Sequence, residues 1–267
     1  MTSTVRSADR ALSVLLKLAE SPAPMTTMDI ARECGLPKSS AHHLLNVMRS
    51  RNFVVYLEDR RAWALGLSAF EVGAAYMRNQ PIHTRSRPFL NELTEELGDT
   101  SHLAVLRGTE VVYLAKHEPA HSQIRLVTEV GVRLPAHLTA VGRAILAHLG
   151  DDAVLRLYEG YSWPTRTGAG PRSIAELVEV LAEVREAGVA MDDENTTSGI
   201  RCVAAPVLDH DGRPVAGIGV TFVSAAKDAA QVERTKTSVL GIGRELSHSF
   251  GYRGDALGVH NGISRAV

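Results

Sequence analysis

The stretch Asp29-Ile-Ala-Arg-Glu-Cys-Gly-Leu-Pro-Lys-Ser-Ser-Ala-His-His-Leu-Leu-Asn-Val-Met-Arg-Ser-Arg, ending at Arg51, restricts what this chain can fold into more than any other. It reads as two helices joined by a tight turn: Gly35 supplies the backbone freedom that ends a helix, and Pro37 suits the start of the next. Ile30, Ala31 and Cys34 turn one apolar side inward, Leu36 packs from the turn, and Ala41, Leu44, Leu45 and Met48 recur at helical spacing. Lys38, Ser39, Ser40, His42, His43 and Asn46 then face away from that core. A short helix pair presenting small polar and basic side chains is a helix-turn-helix, and its second helix is shaped to enter a DNA major groove.

The flanks extend this reading. Residues 7–20 predict a helix with Ala11, Leu12, Leu15, Leu16 and Ala19 as its apolar stripe, stopped by Ser21-Pro-Ala-Pro. Thr26 and Thr27 are candidate N-caps for the next helix. After Arg51, residues 53–57 and 62–65 predict two short strands around the polar Glu58-Asp-Arg-Arg, a wing with Arg60 and Arg61 at its tip. Charge supports the same partner class. The formal charge of the whole chain is only −1, but residues 1–66 hold nine lysines and arginines against six acids, a balance of +3 that leaves −4 for the remainder. A basic N-terminal part on an acidic remainder fits a DNA reader joined to a second domain.

The expected organisation is α+β: a winged helix-turn-helix over 1–67, a linker helix over 68–80 broken by Asn79-Gln-Pro, a second domain over 81–251, and a loose tail over 252–267. The linker carries Phe70, Val72, Ala75 and Tyr76, so its apolar face predicts packing. In the second domain, helices are predicted at 84–97, 141–149, just after Asp151, at 174–187 and at about 227–249. Strands are predicted at 102–106, 110–116, 124–128, 189–193, 200–208 and 215–223, with a Gly-, Pro- and Thr-rich loop from Tyr161 to Pro171. Cys34 and Cys202 lie far apart without metal-ligand spacing, and the 11 histidines show no HExxH or paired zinc pattern, so no metal and no cofactor is expected. The absence of an N-terminal apolar run or of a spanning segment of about 18 residues predicts a soluble cytoplasmic protein, with no membrane partner.

Along 215–223, alternation puts Ile218, Val220 and Phe222 on one face and Gly217, Gly219 and Thr221 on the other. The bulky row fills a core, and the small row leaves room for a pocket with Thr221 as its polar contact. Cys202 and Ala204 stand on the preceding strand, and Asp192 lies one hairpin earlier. Each singled-out residue also has a plainer reading. His42 packs at the helix seam, Arg60 and Arg61 form a solvated turn, Cys202 is a small buried hydrophobe, and Asp192 is a solvated acid beside Asp193 and Glu194.

Several separated motifs, in order, resemble the IclR family of bacterial transcriptional regulators: Ala8-Asp-Arg-Ala-Leu, Ile30-Ala-Arg, Leu36-Pro-Lys-Ser-Ser-Ala-His, Leu134-Pro-Ala-His-Leu-Thr-Ala-Val-Gly-Arg-Ala, Gly188-Val-Ala-Met-Asp-Asp-Glu, Gly199-Ile-Arg-Cys-Val-Ala-Ala-Pro-Val, Asp211-Gly and Val215-Ala-Gly-Ile-Gly-Val. The resemblance spans residues 5 to 250. It implies a winged helix-turn-helix, a dimerising linker helix, a GAF-like effector domain on an antiparallel sheet, and dimers or dimer-of-dimers tetramers on double-stranded operator DNA. It also implies an effector site at Ala140, Val141, Asp192, Cys202, Gly219 and Thr221 for a small metabolite of the organic or aromatic acid class. Backbone N–H groups near Ala140 to Gly142 are the expected carboxylate contacts. Where the family often has arginine, this chain has His43, so operator preference does not carry over from relatives.

A second reading, from a different class, is a cysteine-dependent enzyme using Cys202 with His102, His137 or His210. It needs a thiolate beside a base, whereas Cys202 is predicted in the middle of a strand. The expectation is therefore a regulator, more in keeping with a repressor, with no catalytic residues.

Overall fold

The computed structural model describes residues 5–120 and 129–254, and the chain divides into two compact units, Met1–Gln80 and Pro81–Val267. The first unit is α1 (Arg6–Glu20), α2 (Thr27–Glu33), α3 (Lys38–Ser50), β1 (Val54–Leu57), β2 (Ala62–Leu65) and α4 (Leu67–Asn79). Thr26 caps α2 by accepting the Asp29 N–H, which satisfies one of the orphan donors of a helix start. Gly35 turns the chain in the left-handed region at φ +60°, and Leu36 closes the turn by donating its N–H to Ala31. Val14, Leu18, Ile30, Ala41, Leu45, Met48 and Trp63 form the core.

β1 and β2 pair antiparallel, Val54 opposite Leu65 and Leu57 opposite Ala62. Met25 and Trp63 exchange backbone hydrogen bonds, so the segment before α2 adds a bridge to the wing. The Trp63 indole donates to Thr27 Oγ1 at 2.9 Å. These contacts fix the wing to the helix-turn-helix.

One expectation about this unit is corrected. In α1 the buried positions are Val14 and Leu18, whereas Leu12 and Leu16 are 60% and 48% exposed and Ala19 is also exposed. The apolar side of the helix is broad, spanning Ala8, Ala11, Leu12, Val14, Leu15, Leu16, Leu18 and Ala19, and the rotation that places Val14 in one core with Ile30 and Leu45 leaves part of the expected stripe outside. In α4 no residue is buried within the chain, and Phe70 is 70% exposed.

The second unit is α5 (Pro81–Leu97), β3 (Thr100–Arg107), β4 (Glu110–His117), β5 (Arg133–Pro135), α6 (Ala140–Leu146), α7 (Asp151–Leu157), α8 (Ile174–Ala187), β6 (Ala190–Asp193), β7 (Ile200–Leu208), β8 (Pro214–Val223) and α9 (Ala229–Ser249). Six antiparallel strands run in the order β5-β4-β3-β8-β7-β6. Leu90 and Leu93 of α5 and Val239, Ile242 and Leu246 of α9 pack with Ile218, Val220 and Phe222 on one face. α6 and α8 cover the other, where Ile145, Leu177 and Leu181 meet Tyr113, Cys202 and Ala204. The fold is thus α+β, a winged helix-turn-helix and a curled antiparallel sheet between helices.

α5 begins three residues earlier than the pattern suggested, at Pro81, because proline is tolerated in a first helical turn. β5 was not anticipated, and the strand expected at 124–128 lies outside the described residues, as does most of the tail, 255–267. α9 starts at Ala229 under a capping box in which Asp228 and Gln231 bond reciprocally.

Candidate DNA-reading face and candidate effector site

On α3, Ala41, Leu45 and Met48 face the core, and Lys38, Ser39, His42, His43 and Asn46 are exposed, with Ser40 half-buried. The seam reading of His42 is therefore corrected: the imidazole stands in solvent. Asn46 Nδ2 lies 3.1 Å from His42 Nδ1. An amide nitrogen only donates, so this bond places the ring proton on Nε2, where it is a donor. Arg60 and Arg61 occupy the wing turn, Arg61 with φ +48°, and Arg60 lies 3.6 Å from Asp59 in solvent. Val47, 49% exposed on the same helix, was not singled out from the sequence.

In the second unit, strand register builds one polar row. Asp192 pairs with Cys202, Cys202 with Thr221, and Thr221 with Thr100, so three of the expected site residues stand side by side on the face toward α6. The next row is His102, Gly219, Ala204 and Ala190. Cys202 Sγ is 3.1 Å from Thr221 Oγ1, which is 3.4 Å from His102 Nδ1. His102 stacks edge-on to Tyr113 at 5.3 Å. Burial, with the Lys116 charge adding, pulls the His102 imidazole down to about 4, so it is neutral near pH 7. Its Nε2 is buried without a hydrogen-bond partner among the described residues.

Asp192 is not the solvated acid of the plainer reading. It is 1% exposed. Oδ1 accepts the Asn195 N–H at 2.7 Å and Oδ2 accepts the Thr196 hydroxyl. Burial raises its pKa, while Thr196, Asn195 and the Arg143 charge oppose that rise. Asp193 is exposed and paired with Arg201, and half-buried Glu194 accepts the Gly199 N–H.

Arg143 is the component that the sequence pattern hid. It sits in the middle of a helix whose seven residues are all buried, donates from Nε to His137 O at 2.7 Å and from Nη1 to Met191 O at 2.9 Å, and leaves Nη2 buried without a partner among the described residues. His137 bonds Pro164 O at 3.2 Å and is ringed edge-on by Tyr158, Tyr161 and Trp163. The Gly-rich loop is tied over this region: Arg166 donates to Thr196 O and Thr167 to Glu194 O.

The expected free space along the small row is filled. A Cβ on Gly217 would meet Val141 O at 2.8 Å, and one on Gly219 would collide with Val203 O and lie 2.8 Å from Ala204 Cβ. These glycines permit close backbone approach instead. Ala140 and Val141 are each 1% exposed core residues, and the Gly142 N–H expected to meet a carboxylate is bonded to Thr139 Oγ1 at 3.0 Å. The thiol of Cys202 is pushed up by burial, with the Asp192 charge adding, which opposes the thiolate that the enzyme reading requires. His137 bonds elsewhere, and His210 lies exposed in the β7–β8 turn beside Asp211.

A winged helix-turn-helix with an exposed polar second helix, joined in one chain to a sheet with a buried polar row, defines a DNA-binding regulator with a separate sensing unit. The profile described as "IclR helix-turn-helix domain" matches residues 7–58, and that described as "Bacterial transcriptional regulator IclR C-terminal" matches residues 74–248. The chain belongs to the IclR family of bacterial transcriptional regulators. It is 32% identical to the HTH-type transcriptional regulator XynR of Escherichia coli over 93% of this chain and 98% of that one. To the transcriptional repressor IclR of E. coli it is 30% identical over 94% and 92%. The Thermotoga maritima IclR crystal structure superposes with a TM-score of 0.73 at 25% identity, covering 93% of this chain and all of that one. No helix among the described residues is long and apolar enough to cross a membrane.

Proposed function

We propose that this protein is a cytoplasmic transcriptional repressor whose hold on an operator is switched by a small organic or aromatic acid bound in residues 81–251. The observation that carries the reading is the buried row Asp192–Cys202–Thr221 with His102 beside it. Polar groups withdrawn from water in a sheet core are expensive unless they serve a ligand or a network. Similarity to a protein named as a repressor supports the direction of control. Lys38, Ser39 and Ser40 hold phosphates, His42, His43 and Asn46 meet base edges, and Arg60 and Arg61 reach along the wing. Asp192, Cys202 and Thr221 supply the polar groups of the effector site, and Gly219, Ala140 and Val141 shape it by close packing.

The working unit is a homodimer, or a pair of dimers. Leu67, Phe70, Val72 and Tyr76 of α4 and Leu12 and Leu16 of α1 are large apolar side chains left in solvent by one chain, and a second copy covers them. Effector binding in the C-terminal unit is passed through α4 to the spacing of two α3 helices on a palindromic site.

Thermal-shift measurement against a panel of small aliphatic and aromatic carboxylic acids tests the effector half, since a ligand of the native state raises its melting temperature. Thr221→Val removes the hydroxyl that Cys202 and His102 approach while keeping side-chain volume. It abolishes the shift and the release of DNA by that acid, but not DNA binding itself. An unaltered response in Thr221→Val places the effector elsewhere.

A further inference from the structure

The exposed face of α3 carries one apolar residue in a row of polar ones. Ser39, His43, Asn46 and Ser50 follow each other along the helix, and Val47 stands one turn beyond His43 on their flank. β-branched residues lower helix propensity, and Val47 leaves about half of its surface uncovered, 49% exposed, within the chain. It borders a groove of about 520 Å³ between the start of α1 and α3, whose other walls include Ser7 and Arg10 from α1 and Ser39, His43 and Leu44 from α3. The groove thus has a polar rim with a cation on one side and an aliphatic wall on the other.

We propose that this groove seats one strand of the operator and that Val47 is a specificity determinant that packs on a thymine 5-methyl group beside the base read by His43. The occupant follows from the lining. Arg10, Ser7 and Ser39 suit a sugar–phosphate strand, which carries anionic oxygens and nothing for an aliphatic group to recognise. Of the four bases in the major groove, only thymine offers a methyl group, and apolar side chains are its partners. Val47 adds to base choice what histidine and asparagine cannot: discrimination of thymine from a base with the same hydrogen-bonding edge but no methyl. The inference rests on α3 being the reading helix.

The test uses the full-length protein and a duplex selected by it from randomised DNA. Each thymine is replaced in turn by 2′-deoxyuridine, which removes the methyl and leaves the base-pairing edge unchanged. At one thymine per half-site, the wild type loses about fourfold in affinity, the worth of one buried methyl group. Val47→Ala binds the two duplexes equally, and Val47→Thr, which keeps a methyl on Cβ, retains the discrimination. The proposal is overturned if no thymine shows a uracil effect that Val47→Ala removes. It is equally overturned if Val47→Ala changes the size of the protein in solution, since the side chain then belongs to a protein interface. If His43→Ala and Lys38→Ala bind the selected duplex as tightly as the wild type, the α3 reading fails with it. A flat uracil scan with those two variants impaired sinks only the role of Val47.

Discussion

The two polar sites use nearly the same chemical groups in opposite surroundings. On α3 the histidines, serines and lysine are held in water by a helix whose other side is the core, and their mutual bonds are few: the Asn46–His42 contact joins them at 3.1 Å. In the buried site, His102, Thr221, Cys202 and Asp192 on the sheet and Arg143 on α6 are 6% exposed or less, and each is tied to a neighbour. In water an unpaired polar group is solvated at no penalty, so α3 can keep its donors free for DNA. In the core every such group needs a partner, so the polar row is part of what holds its unit together. Substitutions should therefore affect folding in the sheet and binding on the helix.

The largest effect follows from removing Arg143. Arg143→Leu leaves His137 O and Met191 O without their donor and the buried Asp192 carboxylate without the charge that opposes its protonation. Breaking a buried charge arrangement from one side costs about 3–5 kcal/mol. Chemical denaturation should show the C-terminal unit losing that much while the first unit keeps its own transition. A loss under about 1 kcal/mol would collapse the contrast between the two sites, because surface substitutions cost that little.

Next in size is a pH effect. His102 titrates near 4 in the folded unit and near 6.5 when unfolded. Between those values the unfolded chain takes up a proton that the folded unit refuses. Stability is full above about pH 6.5 and falls as the pH drops toward 4, by on the order of 3 kcal/mol across the window. Asp192 works the other way: its raised carboxyl takes a proton in the folded unit first, which offsets part of the loss at the acid end. Melting temperatures at pH 7 and pH 5 should fall for the wild type and stay closer together in His102→Gln.

The same contrast explains what could be read from the sequence. The helix-turn-helix was legible because its signals are local: Gly35 and Pro37 mark the turn, and Ala41, Leu45 and Met48 mark the inward face. β7 was bounded correctly, and β8 to within one residue, because their runs end in turn-forming residues. The buried row was legible only as faces of single strands. Which residue of β7 stands beside Thr221 is a matter of register, fixed by pairing between distant segments, and resemblance rather than periodicity joined Asp192 to Cys202. His102 entered only as a base for the enzyme reading, and Arg143 only as one member of a motif carrying the resemblance, with no role of its own, because a charge inside a short apolar helix looks like the edge of an amphipathic pattern. The stripe of α1 failed for the converse reason: with Leu12, Val14, Leu15, Leu16 and Leu18 in one helix, periodicity admits two faces, and only packing against Ile30 and Leu45 chooses between them.

On the exposed site, Lys38→Ala should change stability by no more than about 0.5 kcal/mol. Its effect appears in binding: affinity falls alike for all duplex sequences, and the slope of log K against log salt becomes shallower by about 0.9, the signature of one lost phosphate contact. A loss confined to one sequence would instead make Lys38 a base reader and move the boundary between positioning and reading along α3.

The smallest stability effect is expected where the exposed site does have an internal bond. Asn46→Ala removes the i,i+4 contact to His42, worth about 0.2–0.5 kcal/mol on a helix surface, which melting curves barely resolve. Without Asn46 Nδ2 as its donor, His42 Nδ1 no longer holds the ring in the tautomer with its proton on Nε2. The imidazole then offers either a donor or an acceptor to a base edge, and discrimination between a guanine acceptor and a donor-bearing base weakens more than overall affinity. Binding of Asn46→Ala to single-base variants of a selected duplex separates these outcomes. A uniform loss at every variant means that Asn46 meets the DNA itself. A loss concentrated at the position that also responds to His42→Ala means that it acts by holding the histidine, the one place where the water-facing site depends on the pairing that the buried site uses throughout.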